Sequence, residues 1–436
     1  MNIILLSGGS GKRLWPLSND IRSKQFIKMF KNEQGEYESM VQRVFRQIKS
    51  VEPDANITIA TSKRQVSSIK NQLGNKVSIC VEPARRDTFP AVALAAAYLK
   101  SEKNVDEDEA VLVCPVDPYV DNSYFESLKG LFKLAQTGEY RLNLMGVEPT
   151  YPSAKYGYII PDKKEYISAV KEFKEKPTET VAQDYIDQGA LWNCGVFAFK
   201  LGYLLDIAHR YIDFESYADI YNSYEALEKI SFDYAVVEKE NSIGCLRYSG
   251  EWKDIGSWNT FAEEMSEAVI GKAELNEVCE NTNVINELNI PILCMGCKDM
   301  IIAASGNGIL VSDKVQSSYI KPFVDVMDDE AMFAEKSWGS YTVLDVNDDG
   351  MVIKVVLRPG HQMYYHSHEY RDEVWNVVSG IGKAIIDGAE QGVGPGDVIR
   401  MNAGCKHTII AETELNVIEV QLGKNITVED KIKYEL

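Results

Sequence analysis

Three sets of residues in this sequence have the types and spacing to do chemistry. The first is the glycine-rich run Gly8-Gly9-Ser10-Gly11-Lys12-Arg13, directly after the apolar stretch Asn2 to Ser7. Glycines there let backbone N–H groups close around phosphates, and Lys12 and Arg13 can neutralise a leaving pyrophosphate. A glycine loop alone also fits a plain strand–helix turn, so its meaning rests on its companions. The second set is a pair of carboxylates from distant segments. Asp117 ends an apolar run and Asp254 sits among aromatics in a short loop. Two such groups meeting on Mg²⁺ would bridge a triphosphate and an incoming phosphate. Either alone fits a turn or cap aspartate.

The third set lies near the other end. Of the five histidines, His361, His366, His368 and His407 fall in the last hundred residues, apart from His209. Residues two apart on a strand share a face, so His366 and His368 can ligate one ion. Glu373 and His407 would complete a three-histidine, one-carboxylate site of the kind that Zn, Mn, Co or Ni accepts. His361 lies outside the alternation and reads as a surface histidine.

These groups need elements to position them. Asn2 to Ser7 reads as a buried parallel strand, with further strands expected at 57–60, 77–81, 110–114 and 142–147. Helical patterns at 39–48, 62–73 and 90–101 alternate with them. That alternation predicts an open, mixed but mostly parallel α/β sheet with ligands beyond the carboxyl ends of its strands. Residues 281–313 are short β-branched pieces between turns, too few for a core of their own, and read as a β-rich connector. From Lys336 onward short strands alternate with Gly, Pro and Asp turns, which fits a small barrel or sandwich.

Bulk composition narrows the partners. A chain of 436 residues exceeds what one core usually organises. A net charge of −19 argues against nucleic acid and anionic membranes, which need a basic footprint. Eight scattered cysteines, mostly in apolar runs, fit reduced thiols in a cytoplasmic protein. Cys294-x-x-Cys297 has no second pair or nearby histidine and reads as core or turn chemistry. The N-terminal apolar run lacks a basic flank and is too short for a signal peptide or membrane span.

Further segments give the glycine loop its context. In chain order they are Leu14-Trp15-Pro16-Leu17-Ser18, Lys24-Gln25-Phe26, Glu82-Pro83 with Arg86-Asp87-Thr88, Pro115-Val116-Asp117, Tyr156-Gly157-Tyr158-Ile159, Glu175-Lys176-Pro177, Leu191-Trp192-Asn193-Cys194-Gly195, Asp233-Tyr234-Ala235 and Trp252-Lys253-Asp254-Ile255-Gly256-Ser257-Trp258. With these, about the first 265 residues resemble the mannose-1-phosphate guanylyltransferases, within the sugar-phosphate nucleotidyltransferases. The resemblance implies a Rossmann-like domain that makes a nucleotide-sugar and pyrophosphate, with GTP and mannose 1-phosphate as the first-choice pair. It implies that Gly8, Gly9, Gly11, Lys12, Glu82, Arg86 and Asp87 hold the nucleotide, and that Arg13, Lys24, Asp117, Lys176 and Asp254 are catalytic. Asp117 and Asp254 would share Mg²⁺, Lys24 would meet the α-phosphate, and Lys176 the sugar 1-phosphate. Glu175 and Asn193 would bind sugar hydroxyls, with Gly157 admitting the sugar to the backbone. The chain departs from the family pattern at Lys12 (usually Thr), Ser23 (Pro), Asp87 (Asn) and Pro118 (His). Asn to Asp leaves only acceptors, which can still take guanine N1–H and N2–H.

The histidine region carries its own resemblance. Lys336-Ser337-Trp338-Gly339-Ser340-Tyr341, the Glu373-x-Trp375-x-Val377-Val378-Ser379-Gly380 run and Ile418-Glu419-Val420-Gln421-x-Gly423 resemble the cupin of type II mannose-6-phosphate isomerases. Between His368 and Trp375 the chain is two residues longer than that pattern and lacks its second histidine, which shifts the register of Arg371. The barrel either isomerises fructose 6-phosphate and mannose 6-phosphate or serves as a structural appendage. The expected organisation is therefore a transferase domain at 1–268, a β-helix-like connector at 269–330 and a cupin at 331–436. A homodimer is the assembly considered. Two rivals stand beside this reading: a transferase for another base or polyol phosphate, such as CTP, and a non-catalytic sugar-nucleotide sensor. Retention of all five catalytic candidates speaks against the sensor.

Overall fold

The computed structural model describes all residues except 10, 11, 20, 328–330, 425, 427–429 and 436. Gly11 of the expected nucleotide loop therefore lies outside the described residues. The chain packs as two compact units that are not contiguous in sequence. One contains the N-terminal strand, Gln25–Val66 and Asn75–Ser266; the other contains the segment from the glycine loop to Lys24, Ser67–Gly74 and everything from Glu267.

The first unit is built on a nine-stranded sheet. Its order is Ser78–Glu82, Asn56–Ser62, Asn2–Ser7, Ala110–Pro115, Leu191–Lys200, Leu142–Val147, Ile243–Tyr248, Ile167–Lys174 and Gly157–Pro161. The first four strands are parallel, as their unbroken Val/Ile/Leu runs require when both faces are covered. The sheet is mixed and mostly parallel as expected, with Leu142–Val147 and Ile243–Tyr248 also paired in parallel. Leu191–Lys200 enters antiparallel to both of its neighbours, and the two strands beyond Ile243–Tyr248 are antiparallel as well. Register aligns Ser7 with Thr61, Ser62 with Glu82 and Leu6 with Pro115. Gly8, Glu82 and the Val116-Asp117 turn thus leave the sheet at one edge, on either side of the strand where chain direction around the sheet reverses. Helix Thr88–Lys103, apolar around most of its circumference, is buried from Phe89 to Ala97 against this sheet.

The second unit has two β structures. In the connector, Val269–Gly271, Asn283–Asn286 and Met300–Ser305 stack in parallel, and Gly308–Asp313 closes the stack antiparallel. Ala273–Leu275 and Ile292–Cys294 form a second parallel pair, so the segment coils like a short β-helix. Val284, Cys294 and Ile302 form its small core, which is where the Cys294-x-x-Cys297 pair belongs. Within this unit the segment after the glycine loop is pinned to the connector. Ser305 Oγ and Asn307 Nδ2 donate to the Pro16 carbonyl at 2.8 and 3.2 Å, and Arg22 pairs with Glu287. Trp15 packs where a Cβ on Gly308 would sit 2.5 Å from its ring, so this position needs glycine.

The remaining strands form two facing sheets. Six strands run in the order Phe333–Lys336, Gly339–Asn347, Gly350–Leu357, Leu415–Leu422, Asp372–Ser379, Val398–Met401. Five run Ala389–Val393, Gly382–Ile386, His407–Ala411, His366–Ser367, Ile432–Lys433. Their inward residues, among them Leu357, Trp375, Val377, Ala384, Ile409 and Val417, make one apolar core. Among the described residues no helix is long and apolar enough to cross a membrane.

Candidate active site and metal centre

The glycine loop begins where strand Asn2–Ser7 ends. Gly8 and Gly9 are exposed, Gly9 has φ +134°, and a Cβ on either would meet nothing within 4 Å. The backbone is therefore open to a ligand, and Gly9 is held in a conformation that side chains avoid. Three side chains fix it from below. Gln25 Nε2 donates to Ser7 Oγ at 3.1 Å, Thr61 Oγ1 to the Ser7 carbonyl at 3.1 Å, and Gln65 Nε2 to the Gly9 carbonyl at 3.2 Å. Lys12 and Arg13 open a short 3₁₀ turn, and Lys24 opens another just before Gln25 and Phe26, which are buried.

Asp117 and Asp254 are brought together by a two-stranded ladder. Trp252–Asp254 runs antiparallel to Pro118–Val120, with Asp254 opposite Pro118. Residues so opposed lie about 5 Å apart, and Asp117 is the next residue along. A proline is tolerated at the first position of such a strand, so Pro118 fits where the family pattern has histidine. Tyr156 lies beside Asp254; burial, and then that carboxylate, push its hydroxyl well above the usual range. Tyr156, Trp192 and Trp252 form one aromatic wall, with ring centroids 4.9 to 6.3 Å apart.

The sugar-side candidates converge next to that wall. Gly157 and Asn193 are cross-strand partners on adjacent strands. Asn193 sits at a bulge that breaks register with Leu142–Val147 and re-aims its side chain. A Cβ on Gly157 would lie 2.5 Å from Glu175 Oε2, so glycine here makes room for the buried Glu175 carboxylate. Lys176 has φ +45° and turns its ammonium back onto Glu175 Oε1 at 2.6 Å. That hydrogen bond, outweighing partial burial, raises the ammonium above its usual range. Asn193 Nδ2 donates to Asp233 Oδ1 at 2.7 Å, while its own Oδ1 accepts from Gly195 N at 3.1 Å. Burial, and then Glu175, push the Asp233 carboxyl up to about 6.

Glu82, Arg86 and Asp87 lie together at the end of the edge strand. Tyr224 OH donates to Glu82 Oε2 at 2.9 Å, and Arg86 donates to the Glu225 carbonyl. Asp87, at φ +70°, caps helix Thr88–Lys103 by accepting from Thr88 N at 2.7 Å. Its acceptor-only side chain is thus engaged by the helix end, an electrostatically favourable place for a carboxylate.

In the C-terminal barrel one ligand atom from each of His366, His368, Glu373 and His407 lies within 4.8 Å of the others, and all four residues are buried. Each imidazole is oriented by a backbone carbonyl. His366 Nδ1 donates to Tyr364 O at 2.6 Å, His407 Nδ1 to Cys405 O at 3.0 Å, and His368 Nδ1 to Asp430 O. A carbonyl only accepts, so each ring carries a proton on Nδ1 and turns its Nε2 inward. Burial, followed by the charges of Lys431 and His407, lowers His366 to about 2, so it is neutral. Burial alone would raise Glu373, but His368 and His407 outweigh it and hold the carboxyl well below its usual range. Glu373 Oε2 lies 3.1 Å from His407 Nε2 and its Oε1 lies 3.0 Å from His368 Nε2, all of them buried. A buried, nitrogen-rich set whose four ligand atoms converge within 4.8 Å fits a divalent transition metal. Arg371, despite its shifted register, is buried beside the set: Nε donates to Glu373 Oε1 at 3.0 Å and Nη2 lies 3.2 Å from His368 Nε2. His361 is exposed, as expected. Glu419 also faces the barrel interior, and burial, then Glu373, push it up to about 7.

Residues 2–269 match the family profile described as nucleotidyl transferase. The chain belongs to that family. Residues 328–435 match a second profile, mannose-6-phosphate isomerase C-terminal. This nucleotidyltransferase is 27% identical to the mannose-1-phosphate guanylyltransferase ManC of Salmonella typhimurium, over 99% of this chain and 97% of that one. It is 28% identical to the xanthan biosynthesis protein XanB of Xanthomonas campestris over the same shares. The crystal structure of a mannose-1-phosphate geranyltransferase from Thermus thermophilus superposes with a TM-score of 0.62 at 26% identity, covering 74% of this chain and 98% of that one. It is an enzyme with a transferase domain followed by a cupin of isomerase type.

Sequence reasoning passed over several residues of this nucleotidyltransferase site. Asp233 has no role legible from its motif, yet it holds the Asn193 amide. Gln25, Thr61 and Gln65 brace the glycine loop from three segments, and only Gln25 lay in a recognisable motif. The chemical signal for the others was thin, because a glutamine at the start of a helix is ordinarily a surface residue.

Proposed function

We propose that the enzyme forms GDP-mannose and pyrophosphate from GTP and mannose 1-phosphate, in the cytoplasm, with Mg²⁺. The convergence of Gly157, Glu175, Lys176 and Asn193 beside the Asp117–Asp254 ladder carries this reading. In it, a mannose 1-phosphate oxygen attacks the α-phosphorus in line, forming a P–O bond as the bond to pyrophosphate breaks. Lys176 holds the sugar phosphate, while Glu175 and Asn193 bind the sugar hydroxyls. Lys12, Arg13 and Lys24 take up charge on the triphosphate, with Gly8, Gly9 and Gly11 admitting it to the backbone. Asp117 and Asp254 would hold Mg²⁺, which when bound supplies charge neutralisation between the two phosphates. The domain limits 1–268, 269–330 and 331–436 are part of the same proposal.

A second reading, the same reaction with another base such as cytosine, is favoured by one observation. Asp87, where the family pattern has Asn, offers only acceptors, and one of its two oxygens already accepts from Thr88 N–H. A pyrophosphate-release screen of the four nucleoside triphosphates against a panel of sugar 1-phosphates separates these readings. Turnover highest with GTP and mannose 1-phosphate supports the first, a different best nucleotide supports the second, and no turnover with any pair refutes both.

For the barrel, we propose interconversion of fructose 6-phosphate and mannose 6-phosphate. His366, His368, Glu373 and His407 would hold the metal, which polarises a substrate carbonyl when bound. The burial of all four residues and the convergence of their ligand atoms within 4.8 Å support that use.

A further inference from the structure

A carboxyl group that no metal ligand set requires lies on the inner face of the barrel. Strand Leu415–Leu422 alternates buried and less buried residues, and its inward face reads Leu415, Val417, Glu419, Gln421. Across one ladder, Glu373 opposes Gln421 and Trp375 opposes Glu419; across the other, Ile353 opposes Glu419. Directly opposed residues share a face, so Glu419 is the diagonal neighbour of Glu373, roughly 7–8 Å away by backbone position. That places it one side chain from the metal centre without making it a ligand. Gln421 Nε2 donates a hydrogen bond to Glu419 Oε1. Apolar residues of the barrel core flank it, among them Trp375, Val417 and Ile353, and the Glu373 carboxylate lies diagonally across the ladder. Two cations face it from other elements, Arg371 beside the metal set and Lys431 on the C-terminal segment. Lys431 is held there from both sides. Asp430 accepts from the N–H groups of Glu369 and Tyr370 at 2.7 and 3.3 Å, and Ile432–Lys433 pairs with His366–Ser367.

We infer that Glu419 is the proton-transferring residue of the barrel, acting on a phosphorylated sugar with a hydroxyl beside its carbonyl. This rests on the isomerase reading above. Burying a carboxylate in an apolar wall is costly unless the group is used, and the two cations suit an anionic substrate. The Glu419 carboxylate takes the proton from C1 of the ketose. The C–H electron pair becomes the C1–C2 double bond, and the carbonyl pair moves onto O2. A proton passes from O1 to O2, the O1 pair forms the new C1 carbonyl, and C2 takes back the proton from the Glu419 carboxylic acid. No oxidant is consumed and no atom is lost.

The test uses the full-length protein with fructose 6-phosphate in D₂O, following both isomerisation and deuterium incorporation at the substrate carbon by NMR. Metal content and Tm are measured on the same samples. Glu419→Gln is expected to lose at least about 100-fold in both rates while keeping its metal and Tm. Glu419→Asp, which keeps the acid on a shorter arm, is expected to retain measurable exchange at a reduced rate. It decides the matter if the glutamine variant fails to fold. Exchange at the parent rate in either variant overturns the inference and leaves the isomerase reading standing. Absence of both exchange and isomerisation in the parent overturns both.

Discussion

Glu287 grips Arg22 with both carboxylate oxygens, at 2.8 and 2.9 Å, across 265 residues of sequence. The pair ties the segment that carries Lys12, Arg13 and Lys24 to the β-helix-like connector. Arg22 is buried, so its guanidinium depends on that partner. Glu287→Ala is expected to cost about 1–3 kcal/mol in the stability of this unit, the range for a partly exposed pair. If this segment meets the triphosphate as proposed, the substitution is also expected to raise the KM for the nucleotide about tenfold, because the segment loses its anchor. Urea unfolding and pyrophosphate-release kinetics measure the two effects. An unchanged KM would mean the segment is positioned without the connector.

Asp254→Asn removes one of two carboxylates that the Pro118 ladder sets side by side. Loss of about 10³-fold in kcat/KM, about 4 kcal/mol, is expected for the transferase reaction. Half-saturating Mg²⁺ should rise while Tm stays within a degree or two. Asp117→Asn should behave alike, and the double variant should be little worse than either alone, since both would serve one ion.

Gly157→Ala would push a methyl group to 2.5 Å from Glu175 Oε2 and 2.9 Å from the Phe173 ring. Glu175 must then move away from the sugar side. The KM for the sugar 1-phosphate is expected to rise about tenfold or more, with the nucleotide KM changing less than about twofold. Varying each substrate in turn separates the two.

Asp233 has a defined pH signature. Its carboxyl is raised from 3.8 to about 6, by burial first and the neighbouring Glu175 second, with Asn193 and Lys176 opposing. The folded state therefore binds this proton more tightly than the unfolded chain does. The associated stability is present below pH 4 and is lost as pH rises through about 6. Asp233→Asn removes the cost of holding a charged carboxylate there. At pH 7 the variant is expected to be more stable than the parent by about 1–2 kcal/mol, allowing for solvent screening of a half-buried group. The difference should vanish near pH 4. Tm measured from pH 4 to 8 tests this, and a constant offset would exclude Asp233 as its source.

His366→Ala takes one of three oriented Nε2 donors from the barrel. Elemental analysis is expected to show about one divalent metal per chain in the parent and little in the variant. Chelation should destabilise the parent barrel and leave the variant unaffected. Pyrophosphate release, once Mg²⁺ is restored, should be unchanged by either treatment. Equal metal content in both proteins would refute the ligand set.

The element types were largely legible because they depend on local pattern. The strand at Asn2 to Ser7 and that at Leu142 to Val147 fall where their apolar runs put them. Helix 62–73 instead starts later, as Val66–Leu73 after a 3₁₀ turn, because Gln65 turns its side chain to Thr61 and Gly9. The parallel half of the sheet followed from alternating strands and helices. The antiparallel entry of Leu191–Lys200 did not, since a strand's direction depends on which neighbour it finds and not on its own residues.

The sequence by itself determined which groups are available: a glycine-rich loop after a strand, two separate carboxylates, a Glu-Lys pair, and histidines spaced for one face of a strand. Those are properties of residue type and short spacing, which composition and motif order preserve. Tertiary structure alone decided their company. The Pro118 ladder sets Asp254 beside Asp117, Asp233 crosses 40 residues to hold Asn193, and Glu287 reaches back to Arg22. It also set Asp87 at the start of helix Thr88–Lys103, where one carboxylate oxygen caps the helix. Contacts between residues far apart in sequence form only when chain topology closes the loops between them. Such contacts leave no periodic trace in the sequence, because each partner satisfies its local pattern equally well without the other.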